Sequence, residues 1–362
     1  MKVLAIVPAV YDTSPGQRFR LEQWETILRK EGVKITYAPF ETERLRKVLY
    51  KPTHSVKKFF AIVESFKKRL RDVQSVKEYD LVYVFREAAI LGPPWFERKI
   101  ARSGVPIVFD FDDAIFVPYK SPANGYLSYL KFPHKTAEIC RLSTQVIVGN
   151  QYLADYAIKF NKNVTIIPTT IDTEKYKVVK KNADKQKPTI GWSGSFSTVQ
   201  HLDTIRNVFR ELAKTETFRL RVIGTSNYEI PGVEVESMPW RSETEIQDLS
   251  DIDIGVMPLP DDEWSKGKCG LKALQYMALG IPTICSPVGV NSTIIQDGKN
   301  GFLANNEDEW IERLKKLLHS PELRKNLGLA GRKTVEENYS AKAQAPRVYK
   351  VFESALKSSS CE

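Results

Sequence analysis

Cysteine is scarce: Cys140, Cys269, Cys285 and Cys361 are four in 362 residues, and they share no metal-ligand spacing. That excludes a disulfide scaffold, and the apolar neighbours of Cys140 and Cys285 read as a reduced cytosolic core. Histidine is equally rare, and His54, His134, His201 and His319 form no recognisable catalytic pairing. No run of about 20 apolar residues occurs, so no membrane-spanning helix is expected. Residues 1–8 are too short, and wrongly flanked, for a secretion signal; they read as a buried first strand. Internal repeats and low-complexity tracts are absent. So is a G-x-G-x-x-G loop after the first strand of either half, which argues against a nicotinamide enzyme.

What is present is a chain long enough for two domains of roughly 150–190 residues. It carries a formal net charge of +10, which suits nucleic acid, anionic lipid or phosphorylated small molecules. No nucleic-acid motif accompanies the charge, so no nucleic-acid partner is expected. Between Arg44 and Arg71 basic residues crowd around Val56, Phe59, Phe60 and Phe66. This composition fits a helix on an anionic membrane surface, or an ordinary solvated helix pair.

Short apolar runs at 3–7, 35–38, 81–85, 107–111, 145–148 and 164–167 read as buried strands between helical stretches. After a polar, lysine-rich stretch the pattern restarts at 189–192, 220–223, 233–235, 254–257, 283–285 and 301–303. Two β/α series in succession predict two doubly wound domains with parallel sheets. The expected boundaries are 1–168, a linker at 169–188, a second domain at 189–338, and a closing helical segment at 339–362. Ligands of such sheets bind beyond the carboxyl ends of the strands, so a substrate is expected in a cleft between the halves.

The most informative segment is 267–282, Gly-Lys-Cys-Gly-Leu-Lys-Ala-Leu-Gln-Tyr-Met-Ala-Leu-Gly-Ile-Pro. Its spacing puts Lys268, Lys272 and Gln275 on one face of an otherwise apolar helix. Gly267 and Gly270 permit close backbone approach where the first amides lack partners, a setting for a phosphate group. The alternative is a solvated lysine pair. Gly194-Ser195, at a strand end, offers amides and a hydroxyl to a phosphate, or forms a tight turn. In the first half, Arg18 and Arg20 follow Gly16 and flank Phe19, as cleft or surface residues. Arg86-Glu87 ends a strand, as cleft residues or a capping ion pair. Asp110-Phe-Asp112 is a D-x-D after an apolar strand, a pattern that holds a divalent metal in some sugar transferases.

Together these segments resemble the retaining, nucleotide-sugar-dependent glycosyltransferases of family 4, most closely over 251–340. Asp253-Ile-Gly-Val-Met-Pro258 resembles the element before that family's donor-site helix, and 267–282 resembles the helix and its exit. Gln296-Asp-Gly-Lys-Asn-Gly-Phe-Leu303 resembles the following turn and strand. The resemblance implies GT-B architecture, with two Rossmann-like α/β domains facing across a cleft and the last helix crossing back to the N-terminal domain. It implies an acceptor side in the first domain and donor binding in the second. The family helix carries two glutamates eight residues apart; here those positions are Gly267 and Gln275. The arginine and lysine that the family places on the pyrophosphate are also missing from the 194–201 loop. Lys268 and Lys272 are therefore expected to carry the phosphate charge, with Cys269, Gly270, Leu271, Gln275, Gly194 and Ser195 around the donor. The Lys-Cys-Gly-x-Lys variant is similar to a sub-branch associated with surface-polysaccharide synthesis.

Asp112 matches a position lining the sugar site, and is read as a cleft residue in preference to a metal ligand. Gly16, Arg18, Arg86 and Glu87 complete the acceptor side. The implied activity is metal-independent transfer of a sugar from a UDP- or GDP-type donor to a saccharide or lipid-linked acceptor, with retention and without cofactor. The implied location is cytoplasmic, peripheral on the inner face of the plasma membrane. A nucleotide-sugar epimerase of the same architecture and a non-catalytic sugar-nucleotide or polysaccharide-binding protein are the rival readings.

Overall fold

The computed structural model describes residues 1–49, 55–118, 130–178, 187–195 and 198–359. Outside them lie His54, Cys361, part of the expected linker and part of the Arg44–Arg71 segment. The chain forms two compact units, Met1–Thr169 with Gln344–Glu362, and Thr170–Ala343.

The first unit holds six parallel strands: β1 (Lys2–Val7), β2 (Lys34–Pro39), β3 (Leu81–Phe85), β4 (Ile107–Phe111), β5 (Gln145–Val148) and β6 (Val164–Ile166). Their order is β2-β1-β3-β4-β5-β6. β3, β4 and β5 are buried along their whole length, as apolar strands covered on both faces must be. Helices α1 (Gln23–Lys30), α2 (Glu43–Leu49), α3 (Ser55–Gln74), α4 (Trp95–Ala101), α5 (Lys135–Leu142) and α6 (Gln151–Ala157) connect them. The residues after 343 belong to this unit: Gln145 Nε2 donates to Ser354 Oγ at 3.2 Å, and Arg347 donates to the Ile166 carbonyl at 2.9 Å.

The second unit repeats the plan with β7 (Thr189–Ser193), β8 (Arg219–Ile223), β9 (Val235–Met238), β10 (Ile254–Met257), β11 (Thr283–Cys285) and β12 (Phe302–Leu303), in the order β12-β11-β10-β7-β8-β9. Among its helices are α7 (Arg206–Ala213), α8 (Glu245–Ser250), α9 (Leu271–Ala278), α10 (Glu307–His319) and α11 (Pro321–Thr334). α12 (Ala341–Ser359) closes the chain. β9 starts two residues later than the apolar pattern suggested. Gly232 is left-handed (φ 82°) and Val233 N–H closes a turn on the Ile230 carbonyl at 3.1 Å. Part of the expected linker is built into this unit, with Thr170, Ile171 and Tyr176 buried. α9 lies close on β10 because Gly255 has no side chain: a Cβ there would sit 2.4 Å from the Tyr276 ring.

In each sheet the chain reverses its direction of growth at the first strand. The loops beyond β1 and β3, and beyond β7 and β10, therefore flank a topological switch point, where doubly wound sheets hold ligands. Among the described residues no helix is long and apolar enough to cross a membrane.

Candidate functional site

In the second unit the candidate site grows from the exit of β10. Asp262 caps a short helical turn by accepting from Ser265 N–H at 2.7 Å, and residues 267–270 then lead into α9. Gly270 stands at the helix start with φ 70°, and a Cβ there would lie 2.3 Å from Ile294 Cδ1. α9 begins only at Leu271, so Lys268 belongs to the turn before it and not to a common helical face with Lys272 and Gln275. A left-handed residue breaks the helical period that the spacing suggested. The N-cap residue of α9 is Gly270, which has no side chain to cap the helix.

The two lysines nevertheless act on one place. The Lys268 ammonium lies 4.8 Å from the Trp264 ring centre, and that of Lys272 lies 5.4 Å from the Trp192 ring centre. Both press on His201, whose pKa is pushed down to about 4 by burial, then by Lys272 and then by Lys268. Three segments beyond the switch point thus assemble one cationic corner: the end of β7 with Trp192, the His201 turn, and residues 264–272. His201 and the two tryptophans were missed in the sequence. The available signal was a histidine within the loop where the family's phosphate-binding cations were absent.

Other candidates are engaged within the protein. Gln275 is buried, and its Nε2 donates to Tyr176 OH at 3.2 Å and to Glu245 Oε1 at 3.0 Å. Tyr176 OH donates to Glu245 Oε2 at 2.8 Å, and Trp240 Nε1 to Oε1 at 2.9 Å. The amide expected on a ribose is therefore committed to a buried network around a carboxylate. Gly194 N–H extends the sheet by bonding the Ile223 carbonyl at 2.8 Å, and Ser195 N–H bonds Thr198 Oγ1 at 2.9 Å. These amides close a turn instead of opening toward an anion. Cys269 is buried with Sγ 3.8 Å from the Gly267 carbonyl, and Leu271 is half-buried.

In the first unit Arg86 is the organising residue. It ends β3 in the left-handed region (φ 61°), an uncommon state for a residue with a side chain. Its Nε bonds Asp112 Oδ1 and its Nη2 bonds Asp113 Oδ2, each at 2.7 Å. Gly16 packs against the same group: a Cβ there would come within 2.7 Å of Arg86 Nη2 and 3.3 Å of Asp112 Oδ2. Gly16, Arg86 and Asp112 therefore form one cluster beyond β1, β3 and β4. Glu87 pairs with Lys135 at 2.6 Å, and Arg18 with Asp12 at 3.5 Å.

The D-x-D divides. Asp110 is fully buried, with Arg20 Nη2 on Oδ1 at 2.6 Å, Arg20 Nε on Oδ2 at 2.9 Å, and Tyr83 OH also donating to Oδ2. Arg20 is thus a core residue and not a cleft or surface group. Burial disfavours its charge, but the Asp110 carboxylate holds the guanidinium protonated above its ordinary range. No cluster of three His, Cys, Asp or Glu able to hold a metal occurs among the described residues.

Residues 187–320 match the family model described as glycosyl transferases group 1. Sulfoquinovosyl transferase SQD2 of Arabidopsis thaliana is 24% identical over 261 residues, 64% of this chain and 49% of that protein. Spore coat protein SA of Bacillus subtilis is 36% identical over 82 residues, 22% of each. The chain thus spans about half or less of the length of these curated relatives. Among solved structures, sucrose-phosphate synthase from Thermosynechococcus elongatus superposes with a TM-score of 0.72 at 14% identity, covering 99% of this chain and 100% of that one. Anabaena HepE, solved in complex with UDP-glucose, gives 0.67 at 13% identity over 98% and 100%. The chain has the two parallel-sheet, Rossmann-like halves of GT-B glycosyltransferase structures, and its residues 187–320 are similar to the group 1 glycosyl transferases.

Proposed function

We propose that this chain transfers a sugar from a nucleoside diphosphate sugar to a saccharide or lipid-linked acceptor. The observation that carries the reading is the corner made by Lys268, Lys272 and His201 at the start of α9, inside the matched segment. In such a transfer the bond from the anomeric carbon to the diphosphate oxygen breaks and the acceptor oxygen takes its place, its hydroxyl proton passing to the departing diphosphate. Negative charge grows on the departing diphosphate as positive charge grows on the sugar. Ammonium groups fixed beside the leaving group stabilise that state more than the ground state. Lys268 and Lys272 are assigned this part, and Asp112, held by Arg86, is assigned to sugar or acceptor hydroxyls.

A UDP donor is favoured by the likeness to HepE, which was solved with UDP-glucose. Retention of configuration, independence of metal and hexosyl transfer belong to this proposal. The commitment of Asp110 to Arg20 supports the metal-independent form, because it removes one carboxylate of the D-x-D from any ligand set.

Release of nucleoside diphosphate from a panel of UDP- and GDP-sugars, with and without saccharide acceptors, tests the reading. Turnover by the native chain is expected to fall by about 10²–10³ in Lys268→Ala and in Lys272→Ala. Unchanged turnover in both variants would dismiss the phosphate assignment. A second reading, a sugar-nucleotide-binding protein without turnover, is favoured by Gly267 standing where the family has a glutamate. Saturable binding with neither transfer nor hydrolysis, for every sugar tried, would select it.

A further inference from the structure

α3 is turned inside out relative to an ordinary surface helix. Its buried face carries Lys58, Ser65 and Arg69 beside Ala61 and Val73, whereas Val56, Phe59 and Phe60 point outward at 70%, 63% and 60% exposure. Arg69 and the half-buried Lys68 pin the helix. Arg69 bonds the Ala88, Ala38 and Val7 carbonyls at 2.8, 2.7 and 3.0 Å, and Lys68 bonds the Pro39 carbonyl at 2.7 Å. The exposed phenylalanines are therefore displayed by a fixed helix, and they touch edge to face with centres 5.7 Å apart.

Beside them α2 and α3 enclose a groove of about 1150 Å³, with Val48, Phe60 and Val63 among its apolar lining. Arg44, Lys47, Lys57 and Lys67 line it as well, against the carboxylates of Glu43 and Glu64. Arg44 spans 3.5 Å to Glu64, so the excess positive charge rests mainly on the lysines. Exposed apolar side chains ringed by lysines match the layered chemistry of an anionic bilayer surface: acyl chains below, phosphates above.

We infer that the outer face of α3, with the α2–α3 groove, docks this chain on an anionic lipid bilayer through Val56, Phe59 and Phe60, with Lys47, Lys57 and Lys67 on lipid phosphates. The inference deepens the proposed function by favouring a lipid-linked acceptor, yet its evidence lies wholly in the first unit. The basic segment read from the sequence contributes less than its composition suggested, because Lys58 and Arg69 are buried.

Flotation of the full chain with vesicles of phosphatidylglycerol and phosphatidylcholine, against phosphatidylcholine alone, tests it. Binding to the anionic vesicles only is expected, weakening as salt rises. Phe59→Ser with Phe60→Ser should abolish flotation while circular dichroism and UDP binding stay unchanged. Lys57→Gln and Lys67→Gln should each weaken binding about fivefold. The inference is overturned if the native chain ignores anionic vesicles, binds neutral ones equally, or floats unchanged with both serines in place. A dimer that the serine pair dissociates, with no flotation, would assign the face to a second copy and overturn it too. UDP binding that persists while flotation fails would sink this inference and leave the transferase reading standing.

Discussion

Lys272→Met tests the cationic corner most sharply, because it removes a charge while keeping most of the side chain's length. In the free protein the His201 pKa of about 4 arises from burial and from the two lysines, with Lys272 the larger charge. Taking Lys272 away should move the His201 titration upward, toward the 6.5 of a solvated ring. The distance between about 4 and 6.5 corresponds to roughly 3 kcal/mol, which solvent screening reduces to about 1–2 kcal/mol. The sign for stability follows from proton counting. Below pH 6.5 the unfolded chain takes up the proton first, so native stability is complete above that pH and is lost as pH falls toward 4. The variant should lose less over that window. UDP affinity should fall about 10- to 100-fold at pH 7, the value of a charge-assisted hydrogen bond to phosphate. UDP added to the native protein should raise the His201 pKa, since a diphosphate offsets both ammonium groups. Proton NMR of the imidazole and titration calorimetry read these quantities. If His201 moves in Lys272→Met but UDP binds as before, the lysine neighbours the histidine without contacting a diphosphate, and the site is wrongly assigned.

Restoring the family's residue at 275 should harm the protein. Gln275→Glu would set a second carboxylate about 3 Å from Glu245 Oε1 in a buried pocket. One of the two must then hold a proton to a higher pH than an unfolded carboxyl does, at a cost of roughly 2–4 kcal/mol at pH 7. The destabilisation should grow as pH rises above about 4.3, so melting temperatures of variant and native chain converge at pH 4 and part at pH 8. Asp110→Asn tests the divided D-x-D. It leaves Arg20 buried against a neutral amide, and should lower stability by about 3–5 kcal/mol in denaturant unfolding. A loss below 1 kcal/mol, or a stability that Mn²⁺ raises in the native chain alone, would return Asp110 to the metal reading.

Much of the fold was legible because buried parallel strands such as β1 and β3 read as uninterrupted apolar runs. The site was legible only in part. Lys268 and Lys272 stand out because lysines are conspicuous in an apolar segment, but the period places Lys268 on a helix that starts after it. Gly270 is left-handed, and a Cβ there would meet Ile294 and Val290, neighbours of which local spacing carries no record. His201 was hidden for a similar reason. The charges that act on it lie more than sixty positions away.

Charge counting failed where side chains turn inward. Arg20, Lys58 and Arg69 add to the net charge of the sequence and not to the surface that meets a ligand. Arg20 answers a carboxylate 90 positions away, and Arg69 answers carbonyls at the ends of β1 and β2. The same long-range logic accounts for Gln275. With Glu245 already drawn to this spot by Tyr176 and Trp240, a glutamine is the residue of that shape that donates to it without adding a charge. The departure from the family pattern at 275 is thus explained by a partner thirty residues upstream. Position 267 differs: Gly267 is buried in the turn before α9, where its N–H bonds the Trp264 carbonyl at 3.1 Å. Under the proposed function, donor phosphate recognition is assigned to Lys268 and Lys272, and sugar specificity to residues other than the missing glutamates.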